Sequence, residues 1–193
     1  MIKQVIISNG NEQLIYIPQF FPEDLFSELS NQIEWKQNTI RVFGIEHLEP
    51  RQTAWFGKPY KYSNISWPEK EYNDLLIRIQ HKIIQCTDYK FNSVLANYYR
   101  SGQDSMGWHS DNEAEMDTAL IASASFGGSR VFKLRNRMTN KKHDVELNNN
   151  SLLLMYNLQH NWQHSISKTK RVVEPRINLT FRRIISRNTF AEE

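Results

Sequence analysis

The pattern of apolar and polar residues divides the chain into a helical first half and a strand-rich second half. Residues 22–34 and 69–85 carry apolar side chains at helical spacing, each behind a proline and acidic residues that favour a helix start. Both segments predict amphipathic helices that pack on a larger body. The second half contains short runs rich in β-branched and aromatic residues, which predict strands. These runs cover residues 93–100, 118–126, 130–135, 143–147, 151–156, 162–166 and 176–185.

Turn residues separate these predicted strands at close intervals. Gly127-Gly128 and the asparagine run 148–150 are both typical of turns. Many short strands at such spacing favour an antiparallel sandwich or a jelly roll. Because the predicted helices come first and the strands after, the fold class is α+β, with a β core and helices against one sheet.

Composition limits the classes of protein that this pattern can describe. The chain has 193 residues, a net charge of +3, and 39% hydrophobic and 12% aromatic residues, which exclude wholesale disorder and fit one domain. The single cysteine, Cys86, excludes an internal disulfide framework and a cysteine-based zinc ribbon. No apolar run approaches the ~20 residues that span a bilayer, and the N-terminus does not resemble a signal peptide. We therefore expect an intracellular protein without a membrane partner.

The most informative short motif is His109-Ser-Asp111, with His164 far downstream. In an extended segment residues i and i+2 point the same way, so both side chains can face one centre, and a later strand can add His164. Two histidines and a carboxylate are the ligand set of non-haem Fe(II) oxygenases, which leaves positions open for substrates. The competing interpretation is a chance match, since so short a motif is common.

Two further segments alternate polar and apolar residues. One face of the segment 176–182 is polar and carries Arg176, Asn178, Thr180 and Arg182. The polar face of an ordinary strand lies in water, but two arginines with small polar neighbours also suit a dicarboxylate. Asn97 and Tyr99 likewise share a face and can hydrogen-bond a small polar ligand, although a core position for Tyr99 is the alternative.

Taken together, these motifs resemble the AlkB family of Fe(II)- and 2-oxoglutarate-dependent dioxygenases in their order and spacing. The resemblance covers roughly residues 40–185, and its most specific part is the PRINLTFR segment, which is similar to the branch that repairs duplex DNA. It implies a double-stranded β-helix, a form of jelly roll. The expected layout is one domain, 1–193, with N-terminal helices and a nucleotide-recognition lid in 1–90 and the catalytic core in 91–186.

The resemblance also implies roles for individual residues. His109, Asp111 and His164 would hold Fe(II). The residues implied to bind 2-oxoglutarate are Asn97, Tyr99, Arg176, Asn178, Thr180 and Arg182. Among them, Arg176 would pair with the distal carboxylate and Arg182 with the carboxylate nearer the metal.

The activity implied by the resemblance is oxidative demethylation of N-alkylated bases, such as 1-methyladenine and 3-methylcytosine, in DNA repair. It would use Fe(II), 2-oxoglutarate and O₂ and release succinate, CO₂ and formaldehyde. Two alternatives stay open: an oxygenase of the same fold that acts on RNA, protein or a small molecule, and a binding module that has lost its metal. We expect a monomer that acts on DNA, with RNA as an alternative, in a bacterial cytoplasm or a eukaryotic nucleus.

On the substrate side, the segment 41–44 is similar to the hydrophobic finger that fills the gap left by a flipped base. The alternative is a plain strand with Phe43 in the core. Residues 51–63 interleave basic and aromatic side chains and match the family's lid, in which Tyr62 would stack on the base. The substrate-binding residues implied are Val42, Phe43, Gly44, Arg51, Tyr60, Tyr62, Asn112 and Glu113. Asn112 departs from the acidic residue of the duplex-repair branch.

Two basic segments are candidates for contacts with the DNA backbone. Basic loops are usually only solvated surface, but these match phosphate-contacting loops of the family. The residues concerned are Arg135, Arg137, Lys141, Lys142, Lys168, Lys170 and Arg171. Trp108 and Trp162 lie beside the metal-ligand positions, and we interpret both as packing or supporting residues.

Overall fold

A computed structural model of the chain describes residues 2–42, 45–62 and 65–185, with only the backbone described at 41, 42, 61, 62 and 65. The helices are α1 (Phe26–Gln32) and α2 (Asp74–Thr87). Before α2 the strands are β1 (Gln4–Asn9), β2 (Glu12–Ile17), β3 (Thr39–Val42), β4 (Ile45–Leu48), β5 (Gln52–Gly57), β6 (Tyr60–Tyr62) and β7 (Ile65–Trp67). After it come β8 (Ser93–Tyr99), β9 (Met106–His109), β10 (Met116–Gly127), β11 (Arg130–Asn136), β12 (Lys142–Leu147), β13 (Ser151–Tyr156), β14 (Trp162–Ile166) and β15 (Arg176–Ile184).

Most strands join two antiparallel sheets. The larger sheet has seven strands in the order β1-β2-β13-β10-β15-β8-β5, and the smaller has four in the order β12-β11-β14-β9. Two further hairpins, β3-β4 and β6-β7, stand apart from both sheets. The predicted glycine turn follows β10, where Gly127 has φ +81° and an added Cβ would lie 2.5 Å from the carbonyl oxygen of Pro175.

Alternation along the strands of the larger sheet divides the core into two layers. On β15, Ile177, Leu179 and Phe181 belong to the first layer, in which one face of the larger sheet packs against both helices. A second layer lies between the sheets, where Ile121 and Leu153 of the larger sheet join Leu134 of the smaller one. The larger sheet is thus covered by helices on one face and by the smaller sheet on the other.

Both helices are shorter at their start than the sequence pattern predicts. The side chain of Asn73 caps α2 by accepting a hydrogen bond from the backbone N–H of Leu76 (2.9 Å), so the helix begins at Asp74. Lys70, inside the predicted helix, instead exchanges backbone hydrogen bonds with Gly57. α1 begins at Phe26, whose N–H is bonded to the side chain of Asp24 (3.2 Å).

The first half also contains strands, although the sequence pattern predicted only helices there. β1 and β2 form a hairpin that extends the larger sheet through β13, and β5 forms its opposite edge. Glu12 of β2 is buried and accepts hydrogen bonds from Asn161 Nδ2 (2.6 Å) and Trp162 Nε1 (3.2 Å). The N-terminal hairpin is therefore attached to the beginning of β14.

The predicted fold class is confirmed: a jelly-roll core with helices on one sheet. The division of a single domain at residue 90 stays a prediction. Strands from both sides of that position share the larger sheet. In the part of the chain that the structure describes, neither helix has the length and apolar character needed to cross a membrane.

Candidate active site

The three predicted metal ligands come together between the two sheets. β9 and β14 pair with His109 opposite His164, and Asp111 follows two residues after β9 ends. His109 Nε2 lies 3.8 Å from Asp111 Oδ1, and His164 Nε2 lies 3.9 Å from Asp111 Oδ2. One ligand atom from each residue lies within 4.8 Å of the others, so a single ion can contact all three.

The protonation states of these residues suit a metal ion. Burial, reinforced by the nearby His109, lowers the pKa of His164 to about 3, and burial also lowers the pKa of His109. Burial alone would raise the pKa of Asp111, but Arg182 and the two histidines outweigh it, so this pKa lies below its usual value. At neutral pH the cluster therefore consists of two neutral imidazoles and one carboxylate, the forms that bind metals.

Hydrogen bonds fix the orientation of the ligands. His109 Nδ1 lies 2.8 Å from the carbonyl oxygen of Gly107, which can only accept, so Nδ1 carries the proton and Nε2 keeps its lone pair. The side chain of Gln159, itself buried, accepts a hydrogen bond from the backbone N–H of Asp111 (3.0 Å). Between the two ligands, Ser110 Oγ donates to the carbonyl oxygen of Trp162 (2.8 Å) and accepts from Arg137 Nη2 (2.8 Å).

Beside the cluster, the polar face of β15 lies between the sheets and not in water. Its four residues, Arg176, Asn178, Thr180 and Arg182, are all at most 7% exposed. Asn178 Nδ2 donates to Ser123 Oγ (2.7 Å), and Asn178 Oδ1 accepts from Thr180 Oγ1 (3.0 Å).

The neighbouring strand β8 completes this polar face. Asn97 Nδ2 donates to Asn178 Oδ1 (3.3 Å), and Asn97 Oδ1 accepts from Arg51 Nε (2.7 Å). Tyr99, the second residue predicted on β8, is buried and lines the same cavity as Asn97. The structure thus brings together all six residues predicted to bind the cosubstrate.

Arg176 is a buried cation whose hydrogen bonds are incomplete. Its Nη2 donates to Ser125 Oγ (2.9 Å), but among the described residues its Nε and Nη1 have no hydrogen-bond partner of standard geometry. Burial lowers its pKa to about 10, so it is still charged at neutral pH. A buried guanidinium with two unsatisfied nitrogens is well suited to an anionic ligand.

Arg182 lies at the opposite end of the polar face and contacts the metal cluster directly. Its Nη2 donates to Asp111 Oδ1 at 2.7 Å, and both side chains are 6% exposed. The two arginines therefore mark the ends of a cavity that runs from Arg176 to the metal ligands. The side chains that line it include Asn97, Tyr99, His109, Asp111, His164, Asn178 and Thr180.

A second cavity opens on the other side of the same metal ligands. Its lining combines aromatic, apolar and charged side chains: Glu49, Arg51, Thr53, Tyr60, Trp67, Leu95, Met106, His109, Asp111 and Arg182. Tyr60 stacks on Trp55, with ring centroids 4.8 Å apart and planes at 17°. Because His109, Asp111 and Arg182 line both cavities, a molecule in one is adjacent to a molecule in the other.

Comparison with known proteins decides the family. Residues 13–182 match the 2OG-Fe(II) oxygenase superfamily. The chain is 34% identical over 179 residues to the DNA oxidative demethylase ALKBH2 of Mus musculus, covering 84% of this chain and 75% of that protein. The protein belongs to the AlkB family of 2OG-Fe(II) oxygenases. It is also 35% identical over 175 residues to alpha-ketoglutarate-dependent dioxygenase alkB homolog 3 of Bos taurus, covering 84% of this chain and 61% of that relative.

The human alkB homolog 3 gives a similar result, with 35% identity over 173 residues, so the chain spans about 60% of the length of these relatives. Among solved structures, OsALKBH1 superimposes with a TM-score of 0.65 at 15% identity, covering 93% of this chain and all of that one. This likeness supports the jelly-roll fold.

Membership of the AlkB family implies Fe(II), 2-oxoglutarate and O₂, and the residues present fit them. His109, Asp111 and His164 supply the donor set and protonation states that Fe(II) takes. The two unsatisfied nitrogens of Arg176 fit the carboxylate that is distal in 2-oxoglutarate. The cavity between Arg176 and Arg182 fits a dicarboxylate that reaches the metal.

The substrate-side residues predicted from the AlkB resemblance are only partly described. Val42 ends β3 and Tyr62 ends β6, but only their backbones are described, and Phe43 and Gly44 lie outside the described residues. Arg51 is buried and is bound to Asn97 and to Glu49. The predicted role of Arg51 in binding the substrate therefore stays a prediction, and its side chain already has two protein partners.

Tyr60, Glu113 and Asn112 lie close to the metal ligands. Burial, opposed by Arg182 and reinforced by Glu113, raises the pKa of the Tyr60 hydroxyl. Tyr60 Oη and Glu113 Oε2 are buried, and neither has a hydrogen-bond partner of standard geometry in the described part of the chain. Asn112 is exposed. Tyr60 lines the second cavity, and Glu113, which interacts with the Tyr60 hydroxyl, lies beside it without lining that cavity.

The basic residues predicted to contact DNA fall into two groups on the surface. Arg137 and Lys141 lie in the turn between β11 and β12, whereas Arg135 and Lys142 belong to the strands themselves. Lys168, Lys170 and Arg171 are exposed in the loop between β14 and β15.

Sequence reasoning missed several residues that support the site. Gln159 holds Asp111, and Glu49 forms a buried ion pair with Arg51 (3.3 Å) while accepting from Thr53 Oγ1 (2.9 Å). Glu49 lies two residues before Arg51, but this spacing alone gave no reason to expect burial. Trp162 is buried as interpreted, whereas Trp108 is exposed and is not a packing residue.

Proposed function

We propose that this protein removes alkyl groups from N-alkylated bases in nucleic acid, of the 1-methyladenine and 3-methylcytosine type. The oxidation would consume 2-oxoglutarate and O₂ and release succinate, CO₂ and formaldehyde. The observation that carries the proposal is the pair of cavities that meet at His109, Asp111 and Arg182, one suited to a dicarboxylate and the other lined by aromatic side chains. The similarity to ALKBH2 of Mus musculus, a DNA oxidative demethylase, supports DNA as the nucleic acid.

Bound Fe(II), with its cosubstrate and O₂, supplies the oxidation that converts an N-methyl group to an N-hydroxymethyl group, which then loses formaldehyde. The chain binds and orients the reactants. His109, Asp111 and His164 hold the metal and leave the remaining coordination positions to them. Arg176 binds the distal carboxylate of the cosubstrate, and Arg182 and Asn178 contact its other end. Asn97, held by Arg51, fixes Asn178.

The second cavity receives the base. A methylated base inside a duplex cannot reach a buried metal, so it must be flipped out or come from a single strand. Tyr60 and Trp67 supply aromatic lining, and Tyr60 Oη, with Glu113 beside it, would supply polar atoms for the edge of the base. Tyr62 would stack on the base, and Asn112 would lie beside it. Val42, Phe43 and Gly44 would fill the gap that the base leaves in a duplex.

The surface residues of the two basic segments would contact the phosphates of the nucleic acid. As parts of the same proposal, the protein acts as a monomer inside the cell, in the cytoplasm of a bacterium or the nucleus of a eukaryote, because DNA lies there. Size-exclusion chromatography with light scattering, with and without DNA, tests the monomer. A dimer in both samples would contradict it.

An activity panel tests the function itself. The protein with Fe(II), 2-oxoglutarate and ascorbate is given single- and double-stranded DNA and RNA that carry 1-methyladenine or 3-methylcytosine. We expect formaldehyde and restored base in equal amounts, and none from the His164→Ala variant. Turnover of 2-oxoglutarate without demethylation of any nucleic acid would instead indicate an oxygenase for a protein or a small molecule.

A further inference from the structure

The outer face of the smaller sheet carries an exposed tryptophan directly beside a metal ligand. Consecutive residues of a strand point to opposite faces, so Trp108 of β9 points away from the cavity that His109 faces. Trp108 is 38% exposed, and the other four tryptophans are buried or half-buried. The ring of Trp108 lies outside both core layers. Packing in the protein interior therefore does not explain why a tryptophan occupies this position.

A cation is stacked on this ring. The guanidinium carbon of Arg135 lies 4.4 Å from the centroid of Trp108. Arg135 Nε also donates to Gln163 Oε1 (3.0 Å), and Gln163 is its cross-strand partner on β14. The guanidinium therefore reaches across β14 and is held over the ring, so that the cation and the aromatic ring form one positively charged surface.

The charges around this stack favour an anionic partner. On the same strand as Arg135, Lys133 is paired with Asp144 at 3.0 Å. Among the residues that the structure describes, no carboxylate forms such a pair with Arg135 or with Arg137. The exposed Lys141 and Lys142 add positive charge at the same hairpin. An aromatic ring among unpaired cations is typical of surfaces that bind single-stranded nucleic acid.

The position of β9 connects this surface to the active site. β9 is an edge strand of the smaller sheet as described, with the metal ligand on its inner face and Trp108 on its outer face. Arg137 contacts Ser110, the residue that follows His109, and so lies at the same edge. A strand of nucleic acid with one base in the inner cavity can pass over this edge and reach Trp108 with a neighbouring nucleotide.

We propose that Trp108 and Arg135 form a stacking site for an unpaired nucleotide next to the target base. Arg137, Lys141 and Lys142 contact the adjoining phosphates. The inference rests on the proposed function and adds a preference to it, since a nucleotide within a duplex is already stacked on its neighbours. The occupant is therefore single-stranded nucleic acid, and duplex substrates gain little from the site.

Equilibrium binding tests the stacking site. A short fluorescein-labelled single-stranded DNA with one 3-methylcytosine is titrated with the protein loaded with Mn(II), which avoids turnover. We expect Trp108→Ala to raise the Kd about tenfold, as for the loss of one stacked base, and Trp108→Phe to raise it much less. Arg135→Gln is expected to raise the Kd and flatten its dependence on salt.

The matched control is Lys133→Gln, which removes the same charge from the same sheet face at a residue already paired with Asp144. It should leave the Kd nearly unchanged. The DNA should also quench the fluorescence of the native protein more than that of Trp108→Phe, because Trp108 is the most exposed tryptophan. An unchanged Kd in Trp108→Ala, or an equal loss with duplex DNA, would overturn the stacking site.

Demethylation of the free nucleoside 3-methyl-2′-deoxycytidine separates this inference from the function on which it rests. The nucleoside has no neighbouring nucleotide, so Trp108→Ala should process it at the native rate. If the native protein demethylates neither nucleoside nor oligonucleotide, the proposed function fails. If it demethylates both and Trp108→Ala loses both rates equally, the function stands and the stacking site is wrong.

Discussion

The two cavities that meet at the metal ligands are built in different ways. The cosubstrate cavity takes its polar residues from adjacent central strands, β8, β15 and β10, in regular register. The second cavity, in which we propose that the base binds, takes half of its lining residues from the segment 49–67, which includes an edge strand of the larger sheet and a separate hairpin. The sheet therefore fixes the residues of the cosubstrate cavity, whereas segments attached at its edge contribute half of the lining of the cavity in which we propose that the base binds.

Replacement of Arg176 by methionine gives the largest expected effect and tests the cosubstrate side. The variant should bind 2-oxoglutarate about a hundredfold or more weakly, because a desolvated charge pair is lost. The metal-free protein should be as stable as the native protein or more so, since a buried cation with two unsatisfied nitrogens is removed. Calorimetric titration and thermal unfolding measure the two quantities.

The control for Arg176→Met is Arg183→Met on the same strand, where the side chain is 48% exposed and 3.9 Å from Asp117. It should bind 2-oxoglutarate normally. A clear loss of stability in Arg176→Met would mean that the buried guanidinium supports the fold and not a ligand.

Replacement of Gln159 by alanine tests the metal ligands that both cavities share. Asp111 lies beyond the end of β9, so side chains and not the sheet fix its position. We expect the affinity for Mn(II) or Co(II) to fall about ten- to a hundredfold, the usual cost of removing an outer hydrogen bond from a metal site. Gln103→Ala, which loses a hydrogen bond to Thr169 at the surface, should retain full affinity.

Replacement of Asp104 by asparagine has the smallest expected effect and tests the base side. Asp104 accepts from the backbone N–H of Arg100 (2.8 Å) and from its Nε (2.8 Å) and Nη2 (2.9 Å). Arg100 also donates to Gln37, which in turn donates to the carbonyl oxygen of Glu49 in the lining of the second cavity. We expect the free energy of unfolding at pH 7 to fall by about 1–3 kcal/mol. The affinity for 2-oxoglutarate should not change.

The pH dependence of this loss has a definite sign. Burial alone would raise the pKa of Asp104, but the hydrogen bonds from Arg100 outweigh it and hold the pKa below its usual value. Its stabilisation is therefore fully present above the unfolded pKa of about 4 and is lost as the pH falls from there through the lower pKa of the folded state. In denaturant unfolding, the free energies of unfolding of the native protein and of Asp104→Asn should converge as the pH falls into the acid range. A difference between the two that grows in acid would contradict the assignment.

The residues of the cosubstrate cavity on β15 were predictable from the sequence because polar and apolar residues alternate along this strand. Arg176, Asn178, Thr180 and Arg182 alternate with apolar residues, and a strand places such residues on one face whatever surrounds it. The pattern left open whether that face met water. The face is buried because it lines the cavity between the two sheets, and the pattern within one strand does not reveal where a second sheet lies.

The supporting residues could not be predicted in the same way. Gln159 lies in a loop and reaches Asp111 across 48 positions of sequence, and no local pattern marks such a contact. The N-terminal hairpin was missed because β1 and β2 are short and their apolar residues fit no strict alternation around the turn at Asn9 and Gly10. The start of α2 was predicted too early because Asn73, and not Pro68, caps it.

The central position of β15 has a consequence for how the protein is made. β15 lies between β10 and β8, so the group β1-β2-β13-β10 and the pair β8-β5 are joined only when it inserts. Synthesis proceeds from the N-terminus at about 5–20 residues per second, and β15 is the last described strand to leave the ribosome. A nascent chain that has not yet released β15 therefore lacks both Arg176 and Arg182 and cannot form the continuous larger sheet.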